Sequence, residues 1–296
     1  VRALVTGSGG FLGRHFKSEL VRRGYQVIAV EINDPAFSCD AMQVFTKGHM
    51  RVDLAIHCAA LSPHRQAIDA DPLRVGAYNL MLDAALFDWA ARVQPDHLVY
   101  ISSSAAYPAH LQNGSNPVDW LTEFDIDLDH RVIGNPDAIY GWTKLTGEQL
   151  ANRYQQAGGR ATVVRPFTGY GTDQSSRFPF GAFRDRANRR DDPFEVWGSG
   201  EQVRDFIHVK DLVAATMRAV ELRVAGPINL CTGVGTSMLE LAELFCEAAG
   251  YSPRIETKPG APGGVQHRVG DPTLLHEFYI PSIDIRRGVS DALAGR

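Results

Sequence analysis

The chain has 296 residues, 44% of them hydrophobic and 22% charged, with a formal net charge of −4. Such a chain can bury a large core, in one large domain or two lobes sharing one. Mild acidity offers nucleic acid or an anionic membrane nothing to hold, and the apolar runs are too short to span a bilayer.

In chain order, an apolar run from Val1 to Val5 reads as a buried parallel strand. It leads into Thr6-Gly7-Ser8-Gly9-Gly10-Phe11-Leu12-Gly13. Phe11, Leu12, His15, Phe16, Leu20 and Val21 then recur at helical spacing, and Gly24 closes that helix. A second strand, Val27 to Val30, ends in Glu31. Glycines here let the backbone turn sharply and approach a pyrophosphate, which sits among free N–H groups at the helix N-terminus. An acid at Glu31 stands where it can accept from the adenosine ribose hydroxyls. A carboxylate at that point repels a 2′-phosphate, so NAD is expected over NADP, with Arg14 as the one counter-signal.

From Glu31 to Asp53 the chain is short for a crossover helix and is interrupted by Pro35 and Gly48. Either this unit is reduced or a loop is absent from the chain. Strands follow at 53–58, 97–102 and 161–165, and helices at 72–93 and 137–157, the last starting at Asn135-Pro136-Asp137 with Pro in its first turn and stopping at Gly158-Gly159. Alternation of this kind predicts an α/β fold, a Rossmann-type doubly wound parallel sheet with helices on both faces. Beyond residue 170 Pro and Gly become frequent. Residues 1–170 are therefore expected to form the NAD-binding domain, and 171–296 mainly a smaller C-terminal substrate-binding lobe, with some chain returning to the core.

Tyr140 and Lys144 stand four residues apart and leave one helix face together. An ammonium beside a phenol favours the phenolate, a base for removing a hydroxyl proton while a nicotinamide takes hydride from the same carbon.

Together these features resemble the extended short-chain dehydrogenase/reductase family, in its nucleotide-sugar epimerase and dehydratase branch. Gly7, Gly10 and Gly13 match its Gly-x-x-Gly-x-x-Gly, and Tyr140 with Lys144 its Tyr-x-x-x-Lys. Leu54 to Ala60 resembles the family's fourth strand, whose end, Ala59 and Ala60, touches the cofactor. Val99 to Ser104 resembles the strand that delivers the catalytic hydroxyl. Arg165 to Gly171 resembles the segment passing the nicotinamide, and Gly198-Ser199-Gly200 with Arg204 to Val209 the substrate-lobe signature before a helix beginning near Asp211.

The resemblance implies a cofactor set of Gly7, Gly10, Phe11, Leu12, Gly13, Glu31, Ala59, Ala60, Tyr140, Lys144, Pro166 and Phe167. Ser103, four residues before Tyr107, is the implied catalytic hydroxyl beside Tyr140 and Lys144. Ser104 is the second choice, because Pro108 stands where the family has Gly. Ser103, Ser104, Thr168 and Arg204 are implied substrate contacts, Arg204 holding phosphate oxygens unless it is a surface Arg paired with Asp205. Asn79 is expected to bond backbone near the site. His64 and Arg65 either reach the sugar or its phosphates or are exposed loop residues. Thr168 replaces the family's usual Asn. Where dehydratases carry Asp-Glu, this chain has Ser104-Ala105, which disfavours water elimination.

These implications predict NAD-dependent epimerisation of a nucleotide-diphosphate sugar, at C4 through a transient 4-keto sugar. The runners-up are a ketoreductase, oxidoreductase or decarboxylase of the same family and, in another class, a noncatalytic dinucleotide sensor. The apolar residues between Leu80 and Trp89 cover more than one helix face needs, which predicts a homodimer. Cys39, Cys58, Cys231 and Cys246 lack Cys-x-x-Cys spacing; with no signal-peptide pattern, a reducing cytoplasm is expected. Ten histidines show no ligand spacing, so no metal is expected. The first residue is Val rather than Met, and a few residues are expected ahead of it.

Overall fold

Five apolar runs of four to six residues alternate with helices in the first half of the chain. A computed structural model describes residues 1–31, 41–47, 50–62, 65–128, 134–261 and 264–295. Strand β1 (Arg2–Thr6) is followed by α1 (Phe11–Arg22), β2 (Gln26–Val30), α2 (Ala41–Lys47), β3 (Leu54–His57), α3 (Arg65–Ala70), α4 (Pro72–Val93), β4 (His97–Ile101), α5 (Ala138–Gln156) and β5 (Ala161–Pro166). Then come β6 (Thr168–Tyr170), α6 (Pro179–Arg189), β7 (Phe194–Trp197), β8 (Val203–His208), α7 (Val209–Leu222) and β9 (Ile228–Leu230). The chain finishes through β10 (Gly235–Ser237), α8 (Met238–Ala248), β11 (Ile255–Lys258), β12 (His267–Arg268), α9 (Thr273–His276) and α10 (Ile285–Leu293).

Strands β2-β1-β3-β4-β5-β9 pair in that order, all parallel. Period-2 alternation splits the core into two layers. Ala3, Val5, Leu54, Ile56, Val99, Ile101 and Val164 pack with Phe16 and Leu20 of α1 and Leu212 of α7. The alternate residues Leu4, Ala55, Leu98, Tyr100 and Val163 pack with Phe45 of α2, Leu82 and Trp89 of α4 and Ala151 of α5. A separate core around Phe180, Phe183, Phe194, Phe206, Leu241 and Phe245 holds the later elements together. Strand order reverses between β1 and β3, and open α/β sheets bind ligands at the C-terminal strand ends of such a switch point.

Four expectations need correction. Leu54 to His57 is the third strand in chain order, because α2 is the one element described between β2 and β3. Helix α7 starts at Val209, capped by His208, two residues before Asp211. Helix α5 starts at Ala138, after Pro136, and Asp137 at its N-cap makes no capping bond. On α4, Leu82, Leu86, Phe87 and Trp89 are buried, leaving Leu80, Met81 and Ala84 of that stretch exposed. Pro35, Cys39, Gly48 and His64 lie outside the described residues. No described helix is long and apolar enough to cross a membrane.

Candidate active site

The glycine turn joins β1 to α1 with its backbone against the end of β3. Gly7 has φ +64°, and a Cβ there would meet Ala59 N at 2.7 Å. Only glycine tolerates both the left-handed conformation and that approach. Gly13 lies in the first turn of α1, where a Cβ would stand 1.9 Å from Gly7 O. The N-cap of α1, Gly10, offers no side-chain cap, and the first turn holds no acid. Its free N–H groups suit the pyrophosphate of a dinucleotide. Phe11 and Leu12, which open α1, are half-buried, as are Ala59 and Ala60 beyond β3.

Glu31, just past β2, turns back onto this loop, its Oε2 accepting from Gly9 N at 2.8 Å. The carboxylate is thus held against the glycine turn. Arg14 is committed elsewhere: its Nε donates to Asp173 Oδ2 at 2.6 Å and its Nη2 to Asp173 O at 2.8 Å.

On α5, Lys144 is buried rather than on a surface, donating from Nζ to Ile101 O at 2.9 Å. That carbonyl ends β4, two residues before Ser103. The Lys144 ammonium lies 5.8 Å from the centre of the half-buried Tyr140 ring. Helix α5 approaches the turn at 104–106 closely because Gly141 has no side chain; a Cβ would fall 2.1 Å from Ala105 O. Asp137 N also donates to Ala105 O at 3.1 Å. Ser103 caps this turn, its Oγ accepting from Ala105 N at 3.1 Å, and Ser104 is buried within it. Pro108 bridges Pro136 ahead of α5, which ties the serine loop to the tyrosine helix. Pro166 ends β5, and the buried Phe167 and half-buried Thr168 lead into β6. Asn79 clamps the Leu61 backbone, accepting from its N–H at 2.7 Å and donating to its carbonyl at 3.0 Å.

On β8 Arg204 does not pair with its neighbour Asp205. Asp205 accepts instead from Thr232 N, Thr232 Oγ1 and Gly233 N at 2.8 to 2.9 Å. Arg204 lies beside Arg268 in the parallel β8–β12 register. Asp137 Oδ1 accepts from Arg65 Nη1 at 2.9 Å and Asp137 Oδ2 from Arg268 Nη2 at 2.7 Å. These bonds explain why Asp137 does not cap α5. Burial, then the neighbouring Arg268, pushes the Arg204 guanidinium down to about 9. Arg65 is also held by Asp69, which accepts from its Nε at 3.0 and 2.8 Å, so three guanidiniums and two carboxylates gather one helical turn ahead of Tyr140. Sequence reasoning offered Arg65 only as one of two alternatives and missed Arg268 and Asp137, which three distant segments bring together.

Also missed was a buried support behind the serines. Arg165, fully buried on β5, donates from Nε and Nη2 to Glu148 Oε1 and Oε2 at 2.9 and 2.7 Å. Ser102 Oγ donates to the same Glu148 Oε1. A charge inside the apolar run Val163-Val164-Arg165, and Glu148 four residues beyond Lys144, were the local signals.

The model of the NAD-dependent epimerase/dehydratase family matches residues 3–231. A dTDP-4-dehydro-6-deoxy-D-allose reductase of Streptomyces bikiniensis is 28% identical over 93% of this chain and 89% of its own length. UDP-glucuronic acid decarboxylase 1 of Arabidopsis thaliana is 28% identical over 98% of this chain and 68% of its own. The solved UDP-glucose 4-epimerase of Thermotoga maritima with UDP-glucose superposes with a TM-score of 0.84 at 23% identity, covering 99% of this chain and 98% of that one.

Proposed function

We infer from the NAD-dependent epimerase/dehydratase family, to which this chain belongs, and from the pairing of Lys144 with Tyr140, that the protein epimerises a nucleotide-diphosphate sugar at C4. NAD is the cofactor; when bound, it supplies a reversible hydride acceptor for the sugar carbon. Gly7, Gly10, Phe11, Leu12 and Gly13 would hold its pyrophosphate, Glu31 its adenosine ribose, and Ala59, Ala60, Pro166 and Phe167 the nicotinamide half. Tyr140 takes the proton of the sugar 4-hydroxyl and later returns it. Lys144 favours the phenolate and holds the nicotinamide ribose, and Ser103, with Ser104 beside it, orients the substrate oxygen. Arg204 and Thr168 face the diphosphate, whose oxygens a guanidinium can hold bidentately.

The observation that carries this reading is the buried Lys144 ammonium 5.8 Å from the Tyr140 ring, beside a serine turn that continues as Ala105-Ala106 and offers no carboxylate for dehydration. Leu73, Leu80 and Met81 of α4 and Trp142 of α5 are exposed, and two copies meeting there would form the homodimer; a clean monomer by light scattering at micromolar concentration refutes it. Free thiols at Cys58, Cys231 and Cys246 suit a reducing cytoplasm.

The test is incubation with a panel of nucleotide sugars followed by NMR of the products. An epimer should form, deuterium at C4 should be retained, and absorbance near about 340 nm, the reduced-nicotinamide band, should show no net change. Tyr140→Phe should fold normally and lose ~10²–10⁴-fold in turnover. Net consumption of NADH, with its hydride delivered to the carbonyl carbon of a keto sugar, would mean a reductase instead, the reading that similarity to the Streptomyces enzyme favours. Carbon dioxide released from a uronic acid would mean a decarboxylase. Tight NAD binding without any turnover would leave a sensor.

A further inference from the structure

Behind Tyr140 and Lys144 lies a polar cluster that the reaction above leaves unused. Asp83 of α4 is 2% exposed. Its Oδ2 accepts from the Tyr100 hydroxyl at 2.6 Å, and its Oδ1 stands 3.3 Å from His57 Nε2. His57 Nδ1 is 2.8 Å from Thr6 Oγ1, which also accepts from Ala59 N at 3.4 Å. Because the Asp83 carboxylate before Nε2 can only accept, the neutral ring carries its proton on Nε2, and Nδ1 accepts from the Thr6 hydroxyl. Lys144 Nζ lies 5.0 Å from the centre of the same Tyr100 ring that Asp83 holds by its hydroxyl.

A buried carboxylate is costly unless a cation balances it, and the converse holds for a buried ammonium. Of the groups around Lys144, His57 on β3 is kept neutral by burial. The next residue, Cys58, has its thiol pushed up to about 12 by burial. Tyr100 on β4 is pushed well up by the same cause. Glu148 on α5 is cancelled by the two bonds from Arg165 on β5, and Tyr140 is the reacting phenol. Among the described residues, Asp83 is left as the charge that balances Lys144. Burial works against it, yet Lys144, His57 and the Tyr100 hydroxyl hold its carboxyl below the usual range.

We propose that Asp83 is a positioning residue acting through Lys144, and that its negative charge sets the pH at which the Tyr140–Lys144 pair releases the proton that turnover requires. This rests on Tyr140 being the base. Whichever member carries the proton, its loss takes the pair from net positive to neutral. A fixed negative charge nearby stabilises the positive state, so removing that charge releases the proton at lower pH.

Asp83→Asn keeps the size and an acceptor for Tyr100. The acid limb of its kcat–pH profile should move to lower pH by roughly one unit. Asp83→Thr, smaller and also uncharged, should move it the same way and serves if the Asn variant does not fold. Tyr100→Phe keeps the charge and should leave the limb near its wild-type position. A limb that stays put in the neutral variants, with only the melting temperature lowered, overturns the proposal and makes Asp83 a structural group. Full turnover by Tyr140→Phe would overturn the base assignment itself.

Discussion

Replacing Glu148 by Ala removes the counter-charge of a guanidinium that has no access to solvent. Arg165 would lose its bonds at 2.9 and 2.7 Å and keep only two neutral acceptors, the Tyr107 hydroxyl and Glu123 O, each at 3.0 Å. Ser102 would lose its acceptor as well. Breaking a buried pair from one side costs about 3–5 kcal/mol, because the surviving charge stays desolvated. A cleft of about 410 Å³, bordered by Phe124, Asn152 and Pro227 together with both partners, lies against the pair and would admit water once the Glu148 side chain is gone, which favours the lower end. At 2–4 °C per kcal/mol, a loss of ~3 kcal/mol lowers Tm by roughly 6–12 °C. Urea unfolding followed by circular dichroism, with calorimetry alongside, measures both quantities. Glu148→Leu with Arg165→Met removes both charges and should lie within about 2 kcal/mol of wild type. A single Glu148→Ala cost below ~1 kcal/mol, with an unchanged m-value, would refute the desolvation reasoning.

Gly13→Ala places a methyl 1.9 Å from Gly7 O, so the turn must open, and NAD affinity should fall at least ~10-fold by calorimetry; unchanged affinity would count against a pyrophosphate at this turn. His208 Nδ1 accepts from Lys210 N at 3.2 Å to cap α7, and burial, then Lys210, pushes the ring down to about 4. The unfolded chain, titrating near ~6.5, takes up that proton first, so stability should fall as pH drops from about 6.5 to about 4. His208→Asn caps without titrating, and its urea midpoint should fall less across that window; parallel curves would exclude His208 as the source. Glu31→Ser should raise affinity for NADP relative to NAD by roughly tenfold, about 1.4 kcal/mol. Adding Asp173→Ala, which frees Arg14, should raise it further, and a ratio indifferent to both changes would detach cofactor choice from this corner.

The parallel sheet was legible because its strands are short, mostly apolar runs and α1 repeats its apolar residues at helical spacing; α4 spans the expected 72–93. Several later strands were not, since β6, β9, β10 and β12 have two or three residues each, too few for any period to register. Tyr140, Lys144 and the glycine turn carry their spacing in consecutive sequence. The arginine group around Asp137 does not: Arg65, Arg204 and Arg268 meet only after α3 docks and β12 pairs with β8. Asp83 was visible as one acid within Leu80-Met81-Leu82-Asp83-Ala84-Ala85-Leu86. Its significance was hidden, because the partners that justify burying it come from β3, β4 and α5. Asn79 could be read as a backbone clamp, though not which peptide it would hold.

Strand β9 lies late in the chain yet pairs with Val164, Arg165 and Pro166, closing one margin of the first-half sheet. Helix α7, which precedes it, supplies Leu212, Val213 and Met217 to the layer that also holds Phe16 and Leu20. Severing the chain after residue 170 would therefore do more than discard a lobe. It would strip one face of the sheet of half its cover and leave the backbone groups of β5 as an open template for pairing with another molecule. The amino-terminal fragment should be recovered as aggregate, and the intact chain should melt in a single step, because the sheet is finished only by elements from the later part of the chain.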